Sequence, residues 1–274
     1  MPTQGVSLHI GLNSVDPAHY QGWDGTLAGC EFDANDLEAI AKKQGFTTSK
    51  LLTRQATSAS VIAGITAAAG ALKPGDIFLL TYSGHGGQLP DTNHDEKDRQ
   101  DETWVLFDRQ LVDDELYQLW GKFKAGVRIF VLSDSCHSGT VLRAMPPGLG
   151  GPAPLPAAPR IRLLPPNVGL KTYRANKAAY DQIQKATTGS ETAKLRATAI
   201  LISGCQDNQT SADGDRNGLF TENLLRVWAK GKFTGTHKNF RDKIAARMPA
   251  VQTPNYYKVG AANAAFEAQK PFTI

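Results

Sequence analysis

The chain has 274 residues, with 30 Lys and Arg against 26 Asp and Glu for a formal charge of +4. At 41% hydrophobic and 20% charged it is too apolar for wholesale disorder, and without a dense Lys/Arg cluster neither nucleic acid nor a membrane surface is expected as a partner. Cys30, Cys136 and Cys205 cannot all pair, which excludes a disulfide scaffold, and neither a secretory leader nor an apolar run of about 20 residues is present, so a cytoplasmic protein is expected.

In chain order, Val6–Leu12 reads as a buried strand and is followed by a turn-rich stretch to Gly29. Phe32, Leu37, Ile40 and Ala41 recur at helical spacing up to Gly45, a C-terminal cap. Phe46–Leu52 is a weak strand. Thr57 or Ser58 caps an Ala-rich helix that Lys73-Pro74-Gly75 ends near Leu72. Asp76–Tyr82 is a dense apolar strand ending at Ser83-Gly84. A helix over Asp113–Phe123 leads into the strand Val127–Leu132, which ends at Ser133-Asp134-Ser135-Cys136. Ala197–Ser203 is another strand, Gly218–Ala229 and Asn239–Met248 are helices, and Tyr256–Val259 is an edge strand.

Strands alternating with helices predict an α/β fold, a largely parallel sheet covered on both faces. In such sheets ligands bind beyond the carboxyl ends of the strands. His85, Cys136 and Asp207 each follow one of these strands. Met145–Gly169 breaks the pattern, because eight of the fifteen prolines fall between Pro146 and Pro166; it is expected to be a long surface loop or linker.

Two segments carry chemistry: Tyr82-Ser-Gly-His85-Gly-Gly87 and Asp134-Ser-Cys136-His-Ser-Gly139. A cysteine nucleophile needs a base or cation to hold its thiolate, and an imidazole supplies it. Glycines beside His85 let backbone amides face a carbonyl oxygen that becomes negative during attack. His85 precedes Cys136 by 51 positions, close to the spacing of about 50 in caspase-type peptidases. A buried structural cysteine beside a satisfied histidine is the commoner fate of such a pair, but the paired glycine contexts at strand ends argue against it here. His137 is the competing base. Trp23, Trp104, Trp120 and Trp228 read as core or rim aromatics.

Together with Leu27-Ala-Gly-Cys-Glu-Phe-Asp33-Ala, Asp101-Glu-Thr, Asp113-Asp-Glu-Leu116 and Ser203-Gly-Cys-Gln-Asp-Asn-Gln-Thr-Ser-Ala-Asp213, these segments resemble the metacaspases and bacterial orthocaspases, caspase-like cysteine peptidases, from about Val6 to Val259. The resemblance implies a caspase-like three-layer α/β sandwich and one peptidase domain over 1–274. That domain would divide into a larger p20-like part (1–143), a Pro-rich loop open to cleavage (144–174) and a smaller p10-like part (175–274), with no appended N-terminal domain. It implies a His85/Cys136 dyad working through an acyl-enzyme, with the amides of Gly86 and Cys136 as oxyanion donors. It also implies a monomer whose partners are protein or peptide substrates with Arg or Lys at P1, the residue before the cut. The pocket for P1 maps to Cys30, Asp33, Ser83 and Asp134, whose two carboxylates suit a buried cation. Read without the resemblance, Asp33 is a helix N-terminal acid and Asp134 a strand-end turn residue.

The chemistry implied needs no cofactor. In calcium-dependent relatives the ion sits among aspartates corresponding to Asp101, Asp113, Asp114 and a fourth that here is Arg143, a cation that repels calcium; whether calcium activates is left open. Asp91–Glu102 carries oxygen ligands at some EF-hand offsets, but Glu96 replaces the obligatory glycine, so that reading is rejected. Basic specificity and the Pro-rich loop together lead to an expectation of self-cleavage after Arg143, Arg160, Arg162, Lys171 or Arg174. Asp207 and Asp213 read as cleft-rim or turn residues. The rival readings are a catalytically silent adaptor of the same fold, a peptidase that cuts after aspartate, and a calcium-binding module.

Overall fold

The computed structural model describes residues 2–93, 99–135, 160–190, 194–205 and 211–274. Its centre is a six-stranded sheet in the order β2-β1-β3-β7-β8-β9. These strands are β1 (Gly5–Gly11), β2 (Thr47–Leu52), β3 (Ile77–Ser83), β7 (Arg128–Asp134), β8 (Thr198–Ser203) and β9 (Asn255–Gly260). The first five run parallel, and β9 closes one edge antiparallel to β8.

All seven residues of β3 are buried. Successive side chains point to opposite faces, so this buried strand feeds two cores. Phe78, Leu80 and Tyr82 join Leu8, Ile10, Ile129 and Val131 beneath α2 (Ser58–Ala71) and α3 (Asp113–Gly121). Ile77 and Leu79 join Phe130, Leu132, Ile200 and Ile202 beneath α1 (Cys30–Lys43), α6 (Leu219–Trp228) and α7 (His237–Ala245). The result is a three-layer α/β sandwich, as the sequence pattern predicts. No helix among the described residues is long and apolar enough to cross a membrane.

Several elements were not legible in the sequence. A second, antiparallel sheet of β4 (Gly86–Pro90), β5 (Gln100–Val105) and β6 (Gln110–Val112) stands next to His85. Helices α4 (Pro166–Ala175), α5 (Lys177–Thr187) and the short α8 (Ala264–Ala268) were also missed. The expectation of a loop to Gly169 fails at its C-terminal end. Pro166 starts α4 at the first helical position, where proline's missing N–H costs nothing and its fixed φ fits the helix. Nor does the segment before α4 lie wholly on the surface: Arg160 and Ile161 are exposed, but Arg162 and Leu164 are buried.

Candidate active site

The register pairs Ser83 with Asp134, so β3 and β7 end side by side. β3 leads to His85 and β7 to Asp134, and both lie at the carboxyl edge of the sheet where a crevice is expected. Cys136, His137 and Asp207 lie outside the described residues, as does Arg143.

His85 is 5% exposed and fixed from several sides. Its ring packs against Trp23, with centroids 4.7 Å apart. Gly25, with φ of +59°, brings its carbonyl oxygen to 2.9 Å from Nε2. A carbonyl can only accept, so Nε2 carries the proton and Nδ1 keeps its lone pair. Nδ1 is buried and has no hydrogen-bond partner among the described residues. The His85 carbonyl is held in turn by the Val105 amide at 3.0 Å and the Tyr82 hydroxyl at 2.6 Å. Burial lowers the His85 pKa to about 4, against opposing contributions from the Gly25 and Leu163 backbones. The imidazole is therefore neutral at pH 7.

Beside this histidine the chain places a piece of itself. Residues 160–164 run extended between Gly86 and the segment 211–213. The Gly86 amide donates to the Arg162 carbonyl at 3.0 Å, and the Leu164 amide donates to the Gly86 carbonyl at 2.8 Å. On the other side the Arg162 amide donates to Ser211 and the Asp213 amide to Arg160, giving an antiparallel bridge between Ile161 and Ala212. Strand addition of this kind is a general way for a protein to hold an extended peptide. Leu164 anchors the downstream end among Val15, Tyr20 and Val105.

The Arg162 side chain enters a pocket whose walls come from four parts of the chain. Nη2 lies 2.7 Å from Asp33 Oδ2 and 2.9 Å from Asp213 Oδ1; Nη1 lies 2.8 Å from Asp134 Oδ2 and 2.8 Å from Ser83 Oγ. Each carboxylate is oriented by groups of its own. Asp33 accepts from Ser83 Oγ, Asn217 Nδ2 and the Gly218 amide, and Asp134 accepts from the Ser211 and Thr221 hydroxyls. Burial pushes the Asp33 carboxyl up to about 6, with Arg162 pulling the other way and Asp134 adding to the rise. The guanidinium is opposed by burial, but Asp134, Asp33 and Asp213 outweigh it and raise its pKa. A buried cation with carboxylates on several sides and a fork of donors is an arrangement particular to arginine.

The four residues assigned to the P1 pocket from sequence do come together. Asp33, Ser83 and Asp134 contact Arg162 directly. Cys30 is fully buried beside them, its thiol pKa raised by burial, with Arg162 and Asp33 among the charges it feels. Sequence reasoning missed that Asp213 belongs to the pocket wall, not its rim or a turn, and it missed Gly218 altogether. A Cβ at Gly218 would lie 2.5 Å from the guanidinium carbon of Arg162, so only glycine leaves room there. An aspartate five residues ahead of a helix-capping glycine resembles many ordinary turns, and no local signal sets this one apart.

The remaining candidates are scattered. Arg160, Lys171 and Arg174 are exposed, the latter two on α4. Asp101 and Asp114 are buried and Asp113 is half-buried. The Asp114 carboxylate already accepts from Asn93 Nδ2 and from the Thr187 and Ser190 hydroxyls. Among the described residues, no three Asp, Glu, His or Cys side chains form a group that could hold a metal ion.

A family model described as "Caspase domain" matches residues 15–264. The chain belongs to the caspase-domain family. Similar members include Metacaspase-1 of Mycosarcoma maydis, 30% identical over 78% of this chain and 59% of that protein, and Metacaspase-1 of Saccharomyces cerevisiae S288c, 29% identical over 88% and 63%. The chain thus spans about 60% of the length of these curated relatives. The crystal structure of a Geobacter sulfurreducens protein superposes with a TM-score of 0.89 at 52% identity, covering 99% of both chains. Caspase-1 of Spodoptera frugiperda gives a TM-score of 0.56 at 10% identity over 94% of this chain and 86% of that one, a likeness of fold alone.

Proposed function

We propose that the chain is a cysteine endopeptidase that cuts after basic residues, with His85 and Cys136 as its dyad, and that it cuts its own backbone between Arg162 and Leu163. The observation that carries this reading is Arg162 itself. Its side chain fills an acidic pocket, its carbonyl oxygen accepts from Gly86, and the backbone of the next residue reaches the surroundings of His85. A substrate arginine would be held in the same way.

In the proposed reaction the Cys136 thiol gives its proton to Nδ1 of His85, and the sulfur attacks the P1 carbonyl carbon. Negative charge collects on the oxygen that faces the Gly86 amide, with the Cys136 amide as the second donor. The C–N bond breaks as His85 returns the proton to the leaving amine. Water, deprotonated by His85, then hydrolyses the thioester; the P1 carboxylate leaves and the thiol is restored. A neutral imidazole at pH 7 suits the first transfer, and the burial that lowers its pKa to about 4 provides it. Within the chain, Leu163 supplies the leaving amine.

This reading replaces the picture of a nick in an exposed basic loop with a bond held in place by a strand and a pocket. It also favours Arg162 over Lys171 and Arg174, which would have to unwind from α4 before entering a cleft. A peptide with P1 arginine and a fluorogenic amide leaving group tests it. Wild-type protein is expected to hydrolyse the peptide, and Cys136→Ala and His85→Ala are each expected to lose activity by about three orders of magnitude or more. Equal rates in wild type and Cys136→Ala would remove the nucleophile, and no hydrolysis by any of the three would favour a silent adaptor.

A further inference from the structure

We propose that Asp213 makes the pocket select arginine over lysine at P1. This inference rests on the reading of Arg162 as a stand-in for substrate and goes one step beyond it, from a basic P1 residue to one particular basic side chain.

The guanidinium meets its partners around its whole edge. Nη1 faces Ser83 and Asp134, while Nη2 faces Asp33 and Asp213. Asp213 Oδ1 does something the other two carboxylates do not: it lies 3.3 Å from Nε as well as 2.9 Å from Nη2. Lysine has a methylene where arginine has Nε, so this contact has no lysine counterpart. Lysine's single nitrogen would also sit near the position of the guanidinium carbon, between two groups of acceptors set for the two ends of a fork. A lysine could be attracted into the pocket, but it would leave the inner face of Asp213 without its donors.

Asp213 is also held in place without help from a ligand. The Ala28 amide donates to Oδ2 at 2.8 Å and the Gly29 amide to Oδ1 at 3.1 Å. Both amides sit just ahead of the first turn of α1, where a helix favours negative charge. A Cβ on Gly29 would come within 2.8 Å of Oδ1, so glycine at 29 allows this approach. The Asp213 side chain has no solvent exposure. A buried acceptor of fixed orientation penalises a ligand that cannot satisfy it.

The test uses two fluorogenic peptides identical except for Arg or Lys at P1, with wild-type protein, Asp213→Asn and Asp33→Asn. Wild type is expected to favour arginine roughly ten- to a hundredfold in kcat/KM. In Asp213→Asn, which keeps an acceptor for the Ala28 and Gly29 amides, both rates should fall with the lost charge, the arginine rate by about tenfold more than the lysine rate, so the ratio moves toward one. Asp33→Asn should lower both rates together. Equal wild-type rates on the two peptides, or an equal fall of both in Asp213→Asn, would overturn the role of Asp213 and leave the basic pocket standing. Wild type that cuts neither peptide would overturn the peptidase reading, and this inference with it. A thermal melt checks that Asp213→Asn folds; if it does not, the wild-type ratio decides alone.

Discussion

Gly218→Ala is expected to abolish cleavage after arginine while leaving the fold intact. Gly218 caps the start of α6 with φ of −60° and ψ of 152°, a conformation alanine adopts without strain. The added methyl would point into the pocket, 2.5 Å from the Arg162 guanidinium carbon and from Nη2. The atoms in its way are the far end of a long side chain, so that side chain withdraws and the backbone stays. Withdrawal separates the cation from Asp33, Asp134 and Asp213, and each charge-assisted hydrogen bond is worth about 1.5–3 kcal/mol. Losing even two of them would reduce kcat/KM on an arginine peptide by at least about two orders of magnitude. Arg162 would be excluded by the same methyl, so self-cleavage should fall in parallel. Wild-type kcat/KM in Gly218→Ala, with an unchanged melting curve, would mean that substrate arginine does not bind where Arg162 does.

The second large effect is a loss of stability in acid. Three histidines are buried in surroundings that disfavour their charge. His9 lies between Ser7 and Thr81 with its pKa lowered to about 3, and His85 and His237 are lowered to about 4, burial being the leading cause in each. An unfolded histidine titrates near 6.5, so as pH falls below that value the unfolded chain takes up protons that the folded chain refuses. The stability they support is complete above pH 6.5 and drains as pH falls toward 4. Asp33 acts in the opposite sense. Its folded pKa of about 6 lies above the unfolded value, so it penalises the fold at neutral pH and releases that penalty between pH 6 and 4. Three groups outweigh one. Between pH 7.5 and 5 the unfolding free energy should fall by several kcal/mol, since each histidine loses on the order of 1.4 kcal/mol for every tenfold rise in proton concentration below pH 6.5. Urea unfolding of Cys136→Ala, which lacks the proposed nucleophile, measures this. His237→Phe, in a site ringed by Phe130 and Phe266, should flatten the profile. Equal or greater stability at pH 5 would contradict the account.

The strands of the main sheet were readable because β3, β7 and β8 are apolar on both faces, a signal that needs no distant partner. His85, the proposed base, was singled out for a related reason, since a glycine-flanked histidine directly after a buried strand is a local pattern. Asp33, Ser83 and Asp134 came from the resemblance, and the structure brings them together although 101 positions separate the first from the last. The extended segment at Arg162 was hidden. Its composition, rich in proline, reads as a linker, and what orders it is pairing with Gly86 and Ser211 and the ion pair to Asp33, 129 residues away. Hydrophobic periodicity carries no trace of contacts made by backbone amides and one buried cation. Asp213 was hidden because its charge is matched by amides at 28 and 29. The small sheet β4–β6 was missed because Gln88, Pro90 and Glu102 interrupt any apolar alternation.

The central claim is that residues 160–164 lie in the cleft as a substrate would, with the bond after Arg162 presented for attack. Intact-mass analysis and N-terminal sequencing of purified wild-type protein, beside Cys136→Ala, test it most directly. The account predicts two fragments in wild type, the second beginning at Leu163, and a single uncut chain in Cys136→Ala. A second fragment beginning after Arg160, Lys171 or Arg174, or the same fragments in Cys136→Ala, would contradict it.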